Sequence, residues 1–464
     1  MKTSLSKRLA LAICGFALFA LANPVSAKEK IKVFILAGQS NTVGHARGHT
    51  IATLYKAGKP GDKELVNLVF PDNDAIPKAF DEQIARAKSI DELTGGISMD
   101  KIKKIAAGAE KTALEAKVNT LLTAHKAYKK DVIAACAVSD RVYISSIADG
   151  NASDGKLGVG YGADKEKIGP EYGFGLSIAE KVEGPILLIK ASWGGKSITY
   201  DFRPPSAPDF KTTKAYADAK ASSEKNQLRY EEAVKNLPEA KKKYAADLAA
   251  YDAQMKTADE KAKKNLRKPK EPRAPRQPRA FNMDNAGHFW REMVSHVNKV
   301  LATPGDYHPD YDAAQGYEIA GFVWFQGYND QFSPEYHGNY TDNMRIFIKD
   351  VRKEFKTPAM PFVIGVLGTG MTKEKVDENK VSQAQRAAPQ VPEFASNVRA
   401  VESYTQYSHY SHEVFQKGWP AHYHQWDTVG SDRPYHYLGS GAFFVRLGNS
   451  FAESMAELMG NRKK

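Results

Sequence analysis

Short apolar runs recur along this chain, separated by stretches with the three- and four-residue spacing of helices. The first run is Val33-Phe34-Ile35-Leu36-Ala37, and others occupy residues 142–147, 185–191, 319–325 and 361–367, with a weaker one at 397–401. Each is short and bounded by turn-forming residues, as expected of strands buried on both faces. Between them Phe174, Ile178 and Val182 recur at four-residue steps, residues 288–301 are helically periodic, and Phe444, Leu447, Phe451, Met455 and Leu458 form one stripe of a final helix. Strands alternating with helices predict an α/β fold: a three-layer α/β/α sandwich around a mainly parallel sheet.

Two segments interrupt that alternation. Residues 75–135 are rich in Ala, Lys and Glu and read as a helical insertion from about Met99 to Tyr128, with Gly95-Gly96 as a break before it. Residues 207–282 carry apolar or small side chains at Tyr230, Val234, Leu237, Tyr244, Leu248, Tyr251, Met255, Ala258 and Ala262, the heptad spacing of a coiled coil, with Lys241 at one expected core position. Pro238 suits the first turn of a helix, where its missing amide costs nothing, so this insertion is expected to be a helical hairpin or bent rod. It ends in Arg267-Lys268-Pro269-Lys270-Glu271-Pro272-Arg273-Ala274-Pro275-Arg276-Gln277-Pro278-Arg279, where prolines at three-residue intervals favour an extended polyproline conformation.

The first apolar run ends in Gly38-Gln39-Ser40-Asn41, placing a hydroxyl beyond the carboxyl end of a buried strand, where open α/β sheets bind their ligands. The α/β-hydrolase elbow requires Gly two residues after its Ser; here that position is Thr42, so that fold is disfavoured. Three more blocks follow: Ser192-Trp193-Gly194-Gly195-Lys196-Ser197, Trp324-Phe325-Gln326-Gly327-Tyr328-Asn329-Asp330, and Asp432 to His436. In this order the four blocks resemble those of the SGNH (GDSL-like) hydrolases, in the sialate O-acetylesterase-like branch of carbohydrate esterases. The resemblance extends to Gly169–Gly175 and Asp201–Ser206 and covers roughly residues 31–45, 140–206 and 285–460.

That resemblance implies a serine esterase acting on acetylated carbohydrate without metal or other cofactor. Ser40 would be the nucleophile and His436 its base; the Ser40 amide, the amide of Gly195 or Gly194, and the Asn329 side chain would receive the oxyanion. The superfamily places Asp three residues before its His, whereas here Asp432 precedes His436 by four. A turn at Pro434 would let Asp432 serve; Asp427 folding back, or a Ser–His dyad, are the alternatives. Gln39, Trp193, Arg203, Gln326 and Tyr328 are candidate substrate contacts. The histidines at 409, 412, 422 and 424 lack recognised metal-ligand spacing, and among so many aromatics they read as substrate contact or packing. Acyl transfer to another hydroxyl, or an envelope-binding scaffold built on the insertion, are competing readings.

Composition adds location and partners. Lys2, Lys7 and Arg8 precede an apolar run to Ala22 and Pro24-Val25-Ser26-Ala27, the pattern of a secretory signal cleaved after Ala27, so residues 28–464 are expected in the periplasm or outside the cell. Cys136 would then be the sole cysteine, placed as a small buried apolar residue. The formal charge of +12 falls to +9 without the three signal cations, and residues 211–280, with 19 Lys and Arg against 10 Asp and Glu, hold all of that excess. A formally neutral catalytic part argues against nucleic-acid chemistry, while residues 211–280 could meet an anionic polymer or envelope surface.

Overall fold

The computed structural model describes residues 29–56, 58–71 and 75–460; the expected export signal lies outside them. Its centre is a seven-stranded sheet made of β1 (Ile31–Gly38), β2 (Val142–Ala148), β3 (Asn151–Lys156), β4 (Ile186–Ser192), β5 (Tyr317–Phe325), β6 (Phe362–Val366) and β7 (Val398–Glu402), in the order β3-β2-β4-β1-β5-β6-β7. All neighbours are parallel except β3, which pairs antiparallel with β2 at one edge. The three-layer α/β/α architecture is therefore present, with all five apolar runs after β1 or at β1 itself buried in it, and the weak run at 397–401 forming the far edge. β3 was not legible, because Asn-Ala-Ser-Asp-Gly-Lys has no apolar side chain larger than that of Ala152 and is ordered by pairing with β2.

Side chains alternate across each strand, so one strand feeds two cores. Phe34 and Leu36 point into a cluster with Phe174, Phe444, Leu447 and Phe451, whereas Val33, Ile35 and Ala37 point into another with Trp290, Val297, Met344 and Phe347. The first face is covered by helices Pro170–Ala179 and Gly441–Leu458, which cross through glycine. A Cβ on Gly173 would lie 2.4 Å from the Val445 carbonyl oxygen, and one on Gly448 would lie 2.3 Å from the Phe174 amide nitrogen. The second face is covered by helices His288–Ala302 and Tyr340–Glu354.

The first insertion folds as helices Ala75–Thr94, Asp100–Lys103 and Ala109–Ala135, broken at Gly95-Gly96, and it docks through a buried polar cluster. Asp427 accepts from His125 Nε2 at 3.0 Å and Lys129 Nζ at 2.6 Å, and Asp91 meets His424 Nδ1 at 2.8 Å. Burial would raise the Asp427 carboxyl, but His125, His49 and Lys129 hold it well below the usual carboxylate range.

The second insertion departs from expectation. Lys214–Thr257 is one helix with Pro238 inside it, about 66 Å long at 1.5 Å per residue. The missing amide of Pro238 removes one hydrogen bond, but the Ala-, Lys- and Glu-rich turns on both sides are strong helix formers and carry the helix through. Among the described residues no second long helix lies along it, so the heptad stripe is not a coiled-coil seam. The stripe is instead half-buried along residues 237–258 where the extended arm returns, and Leu266, Pro269, Pro272, Pro275, Pro278 and Phe281 are each half-buried while the residues between them are exposed. At the base, Tyr216 meets Phe281 edge-on with ring centroids 5.3 Å apart. No helix among the described residues is long and apolar enough to cross a membrane.

Candidate active site

The site follows from register. Gly38 pairs with Ser192 on one side and Phe325 on the other, so β1, β4 and β5 end at one level and residues 39–41, 193–197 and 326–330 emerge side by side. Glycine is required at 38 because a Cβ there would lie 2.3 Å from the Phe325 carbonyl oxygen. The following residues form the short helix Ser40–Val43, pinned by Thr42 Oγ1 donating to Phe325 O at 2.7 Å. Ser40 is 8% exposed at its start.

Buried amides lock the three segments together. Gln39 Oε1 accepts from Gly327 N at 3.1 Å, Asn329 N at 3.2 Å and Gln326 Nε2 at 3.2 Å, and Gln326 Nε2 also reaches Lys196 O at 2.8 Å and Asp330 Oδ2 at 2.6 Å. Gln39 and Gln326, expected as substrate contacts, are 1% and 3% exposed and spend these groups on the scaffold. Asp330 further accepts from Ile198 N, Thr199 N and Thr199 Oγ1. Its burial pushes the carboxyl up to about 6 against the pull of those donors.

The Arg203 guanidinium donates to the Thr199 and Pro208 carbonyls and so braces the 199–208 loop. Trp193 is 8% exposed and packs on Phe289 and Phe202, so it forms core rather than an open sugar platform. Tyr328 remains accessible. It lies 5.9 Å from Tyr435 and 5.3 Å from Phe332, between centroids, on the rim of a cleft of about 590 Å³ lined also by Leu367, Lys375 and Asn379.

Residues almost four hundred positions downstream close the site. Asn41 Nδ2 donates to Tyr435 O at 3.3 Å, and Ser431 Oγ accepts from Arg47 N and donates to His45 O, so the serine turn and the 431–439 loop are immediate neighbours. His436 Nδ1 lies 3.3 Å from Asp432 Oδ2. The residues between acid and histidine form a tight turn in which the His436 amide donates to Arg433 O at 2.9 Å, and directly after the histidine Tyr437 and Leu438 take φ of +50° and +65°. That left-handed backbone costs free energy for residues with a Cβ and persists only where surroundings over-determine it. Here Tyr437 Oη is held by the Gly368 amide and Ser403 Oγ, both at 2.9 Å, and its ring stacks on Phe443 at 3.9 Å. Asp427, the alternative acid, is engaged with His125 and Lys129 instead.

Three participants carry no family signature. His45 stacks flat on His436, centroids 4.0 Å apart and planes 1° apart, with Nδ1 3.5 Å from the same Asp432 oxygen. Burial, and then the neighbouring His436, lower the His45 pKa to about 4. Burial would raise Asp432, but His436, the Arg433 amide and His45 bring it below its ordinary value. Asp149, at the β2–β3 turn, accepts from the Gly194 amide at 2.6 Å. Lys190 is wholly buried in β4 and donates to Val43 O, Tyr161 O and Glu171 Oε2 at 2.8, 2.6 and 2.8 Å, tying the serine helix to the sheet. A lysine inside an otherwise apolar strand was the one available signal, since lysine is almost never fully buried unless paired.

With the Gly194 amide committed to Asp149, the amides of Ser40 and Gly195 donate to no protein group among the described residues. Asn329 Nδ2 uses one hydrogen on Gly195 O at 2.6 Å, and its second remains for a ligand. His45, Asp432 and His436 also bring three donor atoms within 4.8 Å of one another. Parallel stacked imidazoles cannot both aim in-plane lone pairs at one ion, so this trio suits proton transfer better than metal binding. His424, held by Asp91, is packing rather than a cleft wall.

Residues 280–414 match the model of a family described as carbohydrate esterase, sialic acid-specific acetylesterase. The matched span contains the Gln326–Asp330 block but neither Ser40 nor His436. No curated protein matches the chain. Among solved structures, a protein from Arabidopsis thaliana is similar at 13% identity and a TM-score of 0.38, over 92% of this chain and 98% of its own. A carbohydrate acetylesterase from Xanthomonas citri is similar at 10% identity and a TM-score of 0.31, over 80% and 49%.

Proposed function

We propose that this chain is a carbohydrate esterase of the SGNH-like, sialate O-acetylesterase type, as the family match over residues 280–414 supports, and that it removes O-acetyl groups from sugars through an acyl-enzyme on Ser40. His436 takes the Ser40 proton as the oxygen attacks the acetyl carbon, then returns it to the departing sugar hydroxyl. Asp432 orients the imidazole and balances its charge. The oxyanion meets the Ser40 and Gly195 amides and the free hydrogen of Asn329. His45 is a positioning residue: kept neutral, it braces the His436 ring from one face and shares its carboxylate. The sugar lies in the cleft walled by Tyr328 and Tyr435, whose rings offer apolar faces to a pyranose.

What supports this reading is that the turns bearing Ser40, Asn329 and His436 come from three separate segments and are tied to their neighbours by hydrogen bonds from Asn41 to Tyr435 O and from Asn329 to Gly195 O. Export to the periplasm or beyond is part of the proposal, as is acetylated glycan as substrate. A fluorophosphonate should label the protein at Ser40, and acetate should be released from acetylated xylan, sialic acid or peptidoglycan by the wild type and not by Ser40→Ala. Labelling that persists in Ser40→Ala, or acetate release equal in the two proteins, rejects it.

A further inference from the structure

The returning arm of the second insertion has a regularity that catalysis does not use. A polyproline helix has three residues per turn, so residues three apart share an edge. Pro269, Pro272, Pro275 and Pro278 fall on one edge, and these are the half-buried residues that face the helix Lys214–Thr257. Arg267, Lys270, Arg273, Arg276 and Arg279 fall on a second edge, all exposed. Among the described residues none of these five cations is in an ion pair. The distances are self-consistent: from Tyr216 to Lys241 the helix rises about 37 Å, and from Phe281 back to Lys270 the arm spans about 34 Å. Tyr216 indeed meets Phe281 at one end, and Lys241 lines a cleft of about 930 Å³ with Lys270, Glu271, Pro272 and Arg273 at the other. That cleft lies where a polar Lys241 interrupts the apolar stripe.

We propose that this arm is a binding site for an acidic polysaccharide carrying one carboxylate per two-sugar repeat. Held straight by the helix beneath it, the arm presents five cations in a row at intervals of about 9 Å. An extended polysaccharide advances by a closely similar distance per disaccharide, so successive carboxylates meet successive cations without either polymer bending. Double-stranded DNA, with a charge about every 1.7 Å along its axis, has no such match. A lipid surface would need cations spread over a plane, whereas these lie on a line. The cleft at Lys241, Lys270 and Arg273 gives the row its most concentrated point, and Glu271 on the same cleft disfavours crowded anions.

The test is binding by the full chain, read without turnover. Hyaluronan, with one carboxylate per disaccharide, is the probe; phosphatidylglycerol vesicles and duplex DNA are the competitors. One variant changes Arg267, Lys270, Arg273, Arg276 and Arg279 to Gln; a second changes the four arm prolines to Gly and keeps every cation. The expected result is salt-sensitive hyaluronan binding that each variant weakens about tenfold or more, with hydrolysis of a small acetyl ester unchanged in both. No binding by the wild type, undiminished binding by either variant, or equal binding of vesicles or DNA overturns the proposal. Failure of the esterase reading would show in the hydrolysis arm alone.

Discussion

Replacing Asn329 by Ala isolates the oxyanion argument. In the resting structure one Nδ2 hydrogen is spent on Gly195 O at 2.6 Å, and only the other can meet charge developing on the substrate oxygen. Truncation therefore removes one of three donors and also loosens the clasp that sets the Gly195 backbone. Losing a single such donor costs about 3–4 kcal/mol of transition-state stabilisation, or roughly a hundred- to a thousandfold in turnover. The loosened Gly195 puts the expectation at the upper end. Because the donor acts on charge that appears only in the transition state, kcat should fall while KM stays within about threefold. Asn329→Asp, which keeps the shape and adds a negative charge, should be worse than Ala. The assay is steady-state acetate release from a small acetyl ester, with urea unfolding as a control; Asn329 is half-buried and should shift the midpoint little. Turnover in Asn329→Ala within threefold of wild type would falsify the donor role, as would a rise in KM that accounts for the whole loss.

Other outcomes follow from the same contacts. Asp432→Asn should lower kcat sharply and leave folding intact, and full activity in that variant would remove Asp432 from the mechanism. His45→Ala should reduce kcat about tenfold by freeing the His436 ring, whereas His45→Phe, which restores the stack, should recover most of it; equal loss in both would mean the stack is irrelevant. Lys190→Met leaves Glu171 buried without its cation, so unfolding free energy should drop by about 3–5 kcal/mol, with part of it recovered in Lys190→Met/Glu171→Leu; a drop under 1 kcal/mol in urea refutes the buried pairing. His49 is fully buried with its pKa lowered from 6.5 to about 4 by burial. Its folded form resists protonation, so its stabilisation is complete above pH 6.5 and is lost as pH falls toward 4, worth about 3 kcal/mol. Urea midpoints at pH 7 and 4.5 should therefore diverge less in His49→Gln than in wild type.

The sheet was readable because its strands are continuous apolar runs, and the order of four blocks located the strand ends that matter. Polar segments whose order comes from tertiary pairing were not readable: β3, and the docking cluster of Asp427 with His125 and Lys129. The helix through Pro238 shows propensity on both sides outweighing one lost hydrogen bond. Heptad spacing reported an apolar stripe correctly but could not say that prolines, not a second helix, would cover it. At the site, residue type alone could not separate contact from scaffold. Gln39, Gln326 and Arg203 have the chemistry to hold a sugar, yet the Gln39 oxygen, the Gln326 amide and the Arg203 guanidinium are engaged with groups of the protein itself. His45 and Asp149 belong to no block, and only folding brings them beside His436 and Gly194.

The ring contact between Tyr216 and Phe281 means that the long hairpin leaves and rejoins the globule at nearly one point. Some sixty-five residues can thus be lengthened, shortened or excised and the gap sealed by a brief linker, while the sheet registers nothing. Such an appendage is free to change its client without renegotiating the chemistry below, and grafting it onto an unrelated enzyme of the same architecture becomes a matter of two closely spaced junctions.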